Sequence, residues 1–398
     1  MKILYRFLLV TASLLVCILI AEKRYLESVQ MGIMDFTQYY SAAELWWNGS
    51  NPYEPTSLFE VEQEVNPSLT EVIRMWNPPL IFPLIALFPL LPFYYAATLW
   101  FVLSIVIFLI ATDLTLRWHP HETDLVTPQL RIAGLLVFTF LPLYTCLQFG
   151  QISPLFLCGI ILYLRHLRFP SRKYSAVIAG LGLTLTVIKP HLFLFLYLFE
   201  GFRSLRTQNW RVLQVFILSV TMLSVISTLI LPDVWLYYWQ ALQEPPIYFH
   251  SASLGSWLQY FMGSQSSFLQ MIPMLIGLCA GFVWLFKLDS KQLNAYECAL
   301  LSLTYSLALA PYGWSFDFCV LLPPYLWVVL TGFYRNSAQH RALASILILT
   351  NIGGLIIIRE LQYYLWYPWL TLLVFWWCLQ RRYSKTGDSR EIHTTFGT

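Results

Sequence analysis

The sequence predicts an all-α protein that crosses a membrane many times, and its composition and patterning carry this prediction. Hydrophobic residues make up 58% of the 398 residues and charged residues only 11%, whereas about a quarter of a typical soluble chain is charged. The mean hydropathy is +0.60. Apolar runs recur along the whole chain, with lysine and arginine gathered between them. A net charge of +3 is too small to indicate a nucleic acid partner.

The chain opens with an apolar run at 4–21 that follows Lys2 and Arg6. It lacks the small-residue cleavage site of a signal peptide, so we expect a retained first span with a cytoplasmic N-terminus. Residues 22–78 then form the first outer loop. The seven cysteines lie in or beside apolar runs without metal or disulfide spacing, which is typical of packing residues.

Within the first outer loop, one polar stretch predicts a short amphipathic helix. Aromatic residues and alanines recur at steps of three and four over 36–47, and a turn at 48–52 ends the helix. Aromatic residues on one face and polar groups on the other favour a helix in the headgroup region. Asp35 at its start is either a reactive carboxylate or the helix N-cap, a position that Asp suits well.

The next apolar segment, 79–92, contains four prolines and is too short for a span of about 20 residues. We therefore expect a half-inserted or interfacial helix there. Further apolar runs predict spans at 94–116, 131–148, 151–167, 174–189, 190–202, 212–231, 268–287, 295–310, 318–333, 343–358 and 362–379. Together with 4–21 these runs give twelve spans. With twelve spans, and with 79–92 not crossing the membrane, the arginine and lysine clusters all lie on the cytoplasmic side. We expect one transmembrane domain over 1–380 and a disordered cytoplasmic tail over 381–398.

With this topology, the polar or proline-marked hairpin tips all face outward, as Asp35 does. They are 150–153, 189–191, the 232–267 loop, 310–317 and 359–360. Charges at a membrane edge are costly and mark functional sites by default. The pattern therefore predicts a cavity that opens to the outer face.

Several short motifs resemble those of one enzyme family. Asp35-Phe36-x-x-Tyr39-Tyr40-x-Ala42-Ala43, followed by Gly49-x-Asn51-Pro52-Tyr53, resembles the N-terminal signature of glycosyltransferase family 87. Asn77-Pro78-Pro79-Leu80, Gly150-Gln151, Lys189-Pro190 and Pro311-Tyr312-x-Trp314-x-x-Asp317 are similar to later elements of the family, in the right order. The family consists of polytopic enzymes with the GT-C fold and includes the mycobacterial mannosyltransferases that use polyprenol-phosphate-mannose.

The resemblance implies an inverting transfer of a hexose, of the mannose or glucose class, from a polyprenyl-phosphate donor. The acceptor would be a glycolipid, a glycan or a protein, on the outer face of a bacterial inner or plasma membrane. Asp35 would then be the general base that activates the acceptor hydroxyl. Lys189 would neutralise the lipid phosphate and His191 would hydrogen-bond it. The alternative for Lys189 is a snorkelling lysine that anchors a span.

The other candidate substrate-binding residues each keep a structural alternative. Gln151 would bind a sugar hydroxyl or merely belong to a turn, and Tyr312 and Trp314 would stack on a sugar or anchor the chain at the interface. Asp317 would hold an acceptor hydroxyl or pair with Lys189 or Arg359. Arg74 would contact phosphate or be an ordinary loop arginine. The motif residues Tyr39, Tyr40 and Asn77 complete the expected set.

We expect neither a metal nor another cofactor. Glu60, Glu62 and Glu64 alternate in a loop, which is poor evidence for a metal site, and the Asp-x-Asp motif of metal-dependent sugar transferases is absent from the sequence. A lipid-linked donor fits this composition, since lysine and arginine can bind its phosphate.

Two other function classes stay open. A polymerase or ligase of lipid-linked glycans normally has a large late outer loop rich in Arg and His, whereas 232–267 has one His and no Arg. A secondary transporter should show an internal repeat with broken helices, and the sequence shows no such symmetry. The transferase therefore ranks first, the ligase second and the transporter third.

Overall fold

The computed structural model describes residues 32–118, 133–244, 251–264, 266–287, 294–334, 338–357 and 361–384. Every regular element within these ranges is helical. The α-helices are α1 (Met34–Trp47), α2 (Pro55–Val65), α3 (Phe82–Ile85), α4 (Phe93–Trp118), α5 (Leu141–Phe149), α6 (Pro154–Arg168), α7 (Ser175–Leu185), α8 (Leu194–Thr207), α9 (Arg211–Ile230), α10 (Val234–Leu242), α11 (Leu254–Met262), α12 (Ser267–Lys287), α13 (Ala295–Leu309), α14 (Leu322–Tyr334), α15 (Ala338–Ile357) and α16 (Trp366–Ser384). Short 3₁₀ helices occupy Pro79–Ile81, Phe88–Leu90, Val137–Thr139, Thr186–Ile188, Pro190–Leu192, Ser315–Leu321 and Leu361–Leu365.

Among the described helices, four have the length and apolar composition needed to cross a membrane. They are Phe93–Trp118, Arg211–Ile230, Ser267–Leu285 and Ser315–Gly332. Several long apolar helices in one chain indicate a membrane protein, because about 20 apolar residues span the hydrocarbon core. The predicted first span at 4–21 lies outside the described residues.

Most of the predicted apolar runs coincide with helices, but two runs differ in detail. The run at 131–148 is interrupted by a 3₁₀ turn at Val137–Thr139 and continues as α5, with Pro142 in its first turn. Proline lacks the N–H of a helix interior, so a new helix begins there. The segment at 79–92 forms a chain of short 3₁₀ and α turns rather than one helix. At the C-terminal end, α16 reaches Ser384, so the first residues of the expected disordered tail are helical.

The helix predicted after Asp35 is present as α1, but its polar face is not exposed. Thr37, Gln38 and Ser41 are as fully buried as the aromatic residues. The Thr37 hydroxyl donates to the Ile33 carbonyl at 2.7 Å, and the Gln38 amide donates to the Arg74 carbonyl at 2.7 Å. Because α2 and the loop that follows it cover this side, α1 is an internal helix rather than an amphipathic surface helix.

The α6–α7 hairpin determines which residues meet at one end of the bundle. The two helices cross at Gly159 and Gly182, where a Cβ on either glycine would lie within 2.6 Å of the other's carbonyl oxygen. Only glycine permits so close an approach. Since the helices run in opposite directions, Ser153 before α6 and Lys189 after α7 lie at the same end of the hairpin.

Candidate functional site

Asp35 lies in the first turn of α1, where its carboxylate is held by an amide from another part of the chain. The Gln151 side chain donates Nε2–H to Oδ2 of Asp35. Its carbonyl oxygen accepts a hydrogen bond from the Tyr39 hydroxyl at 2.9 Å. These two partners fix the orientation of the amide, since only its nitrogen can donate and only its oxygen can accept. The N-cap of α1 is Ile33 rather than Asp35, so the carboxylate is not used for capping.

Local backbone geometry places Gln151 against α1. Gly150 ends α5 in the left-handed region, with φ of 71°. A Cβ at this position would lie 2.3 Å from the Gly32 carbonyl oxygen, and the Gly32 N–H donates to the Gln148 carbonyl at 2.8 Å. The backbone carbonyl of Gln151 accepts a hydrogen bond from the Trp100 indole N–H at 3.1 Å. The glycine therefore allows the turn to approach the start of α1 and bring Gln151 to Asp35.

A second charged cluster joins the end of the α6–α7 hairpin to the 3₁₀ helix at Ser315–Leu321. Lys189 Nζ lies 2.7 Å from Oδ1 of Asp317, and their side chains are only 12% and 1% exposed. Ser153 donates its hydroxyl to the same oxygen at 3.0 Å. The other oxygen of Asp317 accepts the Trp314 backbone N–H at 3.1 Å. Both carboxylate oxygens of Asp317 therefore have hydrogen-bond partners, which a buried charge requires.

The two clusters are neighbours, because Ser153 follows Gln151 by two positions in the chain. The charges of Lys189 and Asp317 also act on the Asp35 carboxylate. Burial raises the pKa of Asp35 to about 6. The Gln151 hydrogen bond and the Lys189 charge oppose this rise, and the Asp317 charge adds to it. The carboxyl therefore titrates nearer to neutral pH than an ordinary aspartate, a property typical of a general base.

Aromatic residues and a histidine border the Lys189–Asp317 pair. The Trp314 indole donates to the Tyr312 hydroxyl at 2.7 Å, and the Tyr312 ring lies 6.3 Å from that of His191. Lys189 Nζ lies 5.0 Å from the centre of the Phe316 ring. Nε2 of His191 is buried and has no hydrogen-bond partner among the described residues. That nitrogen is thus a buried polar atom whose hydrogen bonding the described residues leave unsatisfied.

Three of the sequence-predicted residues lie apart from these contacts. The Asn77 amide donates to the Ile188 carbonyl at 3.1 Å, next to Lys189, and so supports the hairpin end. Tyr40 donates its hydroxyl to the Leu91 carbonyl at 3.0 Å. Arg74 forms an exposed ion pair of 2.8 Å with Glu244. The structure thus brings Asp35, Tyr39 and Gln151 into one group and places Lys189, His191, Tyr312, Trp314 and Asp317 in the adjoining one.

Ser153 and Trp100 are contacts that sequence reasoning missed. Ser153 belongs to the same turn as Gly150 and Gln151. This position was the one feature of the sequence that could have indicated its contact with Asp317. Trp100 lies in an apolar run without any local sign of its bond to Gln151. The three glutamates of α2 do not converge, since Glu62 is buried while Glu60 and Glu64 are exposed. Within the described ranges, no three His, Cys, Asp or Glu side chains are grouped as metal ligands.

The sequence profile of glycosyltransferase family 87 matches residues 76–357, more than half of the chain. The match includes Asn77, Gln151, Lys189 and Asp317 and begins after α1. No curated protein and no solved structure matches the chain. The family is one of sugar-transferring enzymes, and the motifs, the apolar helices and the profile agree: the chain belongs to glycosyltransferase family 87.

Proposed function

We propose that this glycosyltransferase moves a hexose, of the mannose or glucose class, from a polyprenyl-phosphate donor to an acceptor hydroxyl, with Asp35 as the general base. The acceptor is a glycolipid, a glycan or a protein. The state of the Asp35 carboxylate carries this proposal. Gln151 holds Oδ2, whereas Oδ1 accepts no hydrogen bond from a described residue, and no described cation pairs with the carboxylate. A half-buried acid with one free oxygen is equipped to take a proton.

The proposed reaction is a single displacement that inverts the anomeric carbon. The acceptor oxygen forms a bond to that carbon while its proton passes to Asp35. The bond between the carbon and the phosphate oxygen breaks, and polyprenyl phosphate leaves with the electron pair. The atoms and electrons of this reaction balance without a metal ion or a redox partner. Polyprenyl phosphate takes the electron pair of the broken bond and is stable as an anion.

Lys189 is the proposed partner of the donor phosphate. An ammonium group has three N–H donors, and Asp317 accepts one of them, so two can bind phosphate oxygens. The unpartnered Nε2 of His191 is suited to a further hydrogen bond. The same histidine lines a small, mostly apolar cavity with Leu194, Phe195, Met274, Leu278, Tyr305, Ser306 and Leu309.

Gln151 is proposed as a positioning residue rather than a sugar ligand. Each end of its amide already makes one hydrogen bond, the oxygen with Tyr39 and the nitrogen with Asp35. The amide therefore orients the carboxylate so that Oδ1 faces the acceptor. Its charge-assisted hydrogen bond also favours the ionised form that a base requires.

We further propose twelve spans in a GT-C fold, one transmembrane domain over 1–380, and a site on the outer face of a bacterial inner or plasma membrane. The charge distribution supports this arrangement. Basic residues cluster at the ends of α6 and α8 that are remote from Lys189: Arg165, Arg168, Arg172 and Lys173 at the first, and Arg203, Arg206 and Arg211 at the second. Positive loops mark the cytoplasmic side, which leaves Asp35 on the opposite one.

Replacement of Asp35 by asparagine tests the proposal. Asp35→Asn keeps the size and the Gln151 contact but cannot accept a proton, so transfer of labelled sugar from polyprenyl phosphate should fall by about 100-fold or more. Asp113→Asn, at an exposed aspartate that pairs with Arg117, is the matched control and should keep full activity. A normally folded Asp35→Asn enzyme with unchanged turnover would eliminate Asp35 as the base.

A further inference from the structure

Arg168 and Arg172 both lie against the ring of Phe169, which follows α6, and neither pairs with a carboxylate among the described residues. The guanidinium carbons of Arg168 and Arg172 lie 5.9 and 4.8 Å from the centre of the Phe169 ring. Both side chains are exposed, and neither forms an ion pair with a described residue. The ring attracts each cation, but the two like charges repel each other. An anion that binds both guanidinium groups would turn this repulsion into attraction.

This pair lies at the level where a candidate membrane span ends. The ring of Trp118, the last residue of α4, lies 6.2 Å from the ring of Phe169. The pair is also remote from the candidate site, because α6 has 15 residues and so extends roughly 22 Å from its Ser153 end. Exposed Tyr174 follows Arg172 by two positions in the chain, and Lys173 Nζ lies 4.8 Å from its ring centre. Aromatic and cationic residues at a span end are typical of the headgroup layer.

The described carboxylates near this end do not compensate the two arginines. Glu200 is buried and accepts two hydrogen bonds of 2.7 Å from Arg203. Asp113 pairs with Arg117 at 2.9 Å. Glu297, in the first turn of α13, is buried and forms no ion pair with Arg168 or Arg172. The remaining cations of the hairpin, Arg165 and Lys173, add positive charge on the same side.

We propose that Arg168 and Arg172 form a binding site for the phosphate of an anionic phospholipid. A phosphate accepts bidentate hydrogen bonds from guanidinium groups, and two arginines can share one. The depth at the end of α4 is that of lipid headgroups, so a membrane lipid is the ligand rather than free phosphate. The site is separate from the transfer chemistry and does not depend on the role of Asp35.

Lipid retention tests the site on the full chain. The protein is reconstituted in nanodiscs containing phosphatidylcholine and phosphatidylglycerol. The lipids that stay bound to it after mild extraction are identified and quantified by native mass spectrometry. We expect retained phosphatidylglycerol in the wild type and a loss on the order of tenfold or more in Arg168→Gln/Arg172→Gln. Arg117→Gln is the matched control, because Arg117 lies at the same end of the bundle but has its own carboxylate; it should retain the lipid.

Three outcomes would overturn the site. They are equal retention by the double variant and the wild type, an equal loss in Arg117→Gln, and displacement of phosphatidylglycerol by inorganic phosphate at matched concentration. If the double variant does not fold, Arg172→Gln alone is measured, since its guanidinium is the nearer of the two to the ring. A partial loss in that variant supports the site, and an unchanged lipid profile rejects it.

Discussion

Lys189 and Asp317, 128 positions apart in sequence, form a buried ion pair of 2.7 Å at the edge of the candidate site. The pairing is one of the two alternatives that the sequence left open for Asp317. It gives the lysine a fixed position, which a snorkelling side chain would lack. It also makes each charge dependent on the other, because a buried charge without a partner is costly.

The double variant of this pair should be more stable than either single variant. Lys189→Gln leaves Asp317 buried without its cation, at a cost of about 3–5 kcal/mol in the free energy of unfolding. Lys189→Gln/Asp317→Asn removes both charges and should recover much of that loss in thermal unfolding. Both variants should bind the polyprenyl-phosphate donor weakly. Additive losses of stability, or a double variant with normal donor affinity, would contradict the assigned roles.

The pH dependence of transfer should report the ionisation of Asp35. Burial raises the pKa of this carboxyl to about 6, and a general base acts only when ionised. We therefore expect kcat/KM to rise with pH up to about 6 and to level off above it. Gln151→Ala removes a hydrogen bond that lowers the pKa, so its profile should shift to higher pH. An unshifted profile would show that Gln151 does not act through Asp35.

Tyr39 should act on catalysis only through Gln151. Its hydroxyl donates to the amide oxygen, so Tyr39→Phe should lower kcat in the wild-type background and have little further effect in Gln151→Ala. A double-mutant cycle of transfer rates measures this coupling. Tyr144→Phe is the control, because the Tyr144 hydroxyl bonds the Phe138 carbonyl away from the site. Independent, additive effects of Tyr39 and Gln151 would argue against the chain of hydrogen bonds.

Gly150 should tolerate alanine far less well than another glycine with positive φ. At Gly150 a Cβ would lie 2.3 Å from a backbone oxygen, whereas at Gly263 the φ is 57° and no atom lies within 4 Å. Gly263→Ala should cost only the left-handed strain, about 1–2 kcal/mol. Gly150→Ala must also move the Gln151 turn away from α1 and should lower transfer strongly. Equal activity of the two variants would show that the close approach is not needed.

Glu62 should make stability fall as pH rises. It is fully buried, with one oxygen bonded to the Ile73 N–H at 3.0 Å and the other without a described partner. Burial raises its pKa from 4.5 to about 8. The folded state therefore binds the proton more tightly, and its stability is lost as pH rises from about 4.5 through 8. Glu62→Gln should remove this loss in thermal unfolding at pH 6 to about 9, and the exposed Glu60→Gln should keep it.

Particular elements show how far local sequence predicts this fold. The apolar runs at 94–116 and 212–231 correspond to α4 and α9 within two residues at each end, since a long hydrophobic run can only be a helix in a membrane. The run at 131–148 did not predict its break before Pro142. The burial of the polar face of α1 was also missed, because it depends on α2 and the following loop rather than on the helix itself.

The sequence alone determined the helical class, the membrane character and the family, because composition, apolar run length and short motifs are local properties. Only the tertiary structure decided which polar side chains meet. Asp35 and Gln151 are 116 positions apart, and no periodicity connects them. Their contact depends on the left-handed turn at Gly150 and its close approach to Gly32. The contact of Lys189 with Asp317 depends on the crossing of α6 and α7 at Gly159 and Gly182. Such contacts arise from packing between distant helices, which a single sequence does not record.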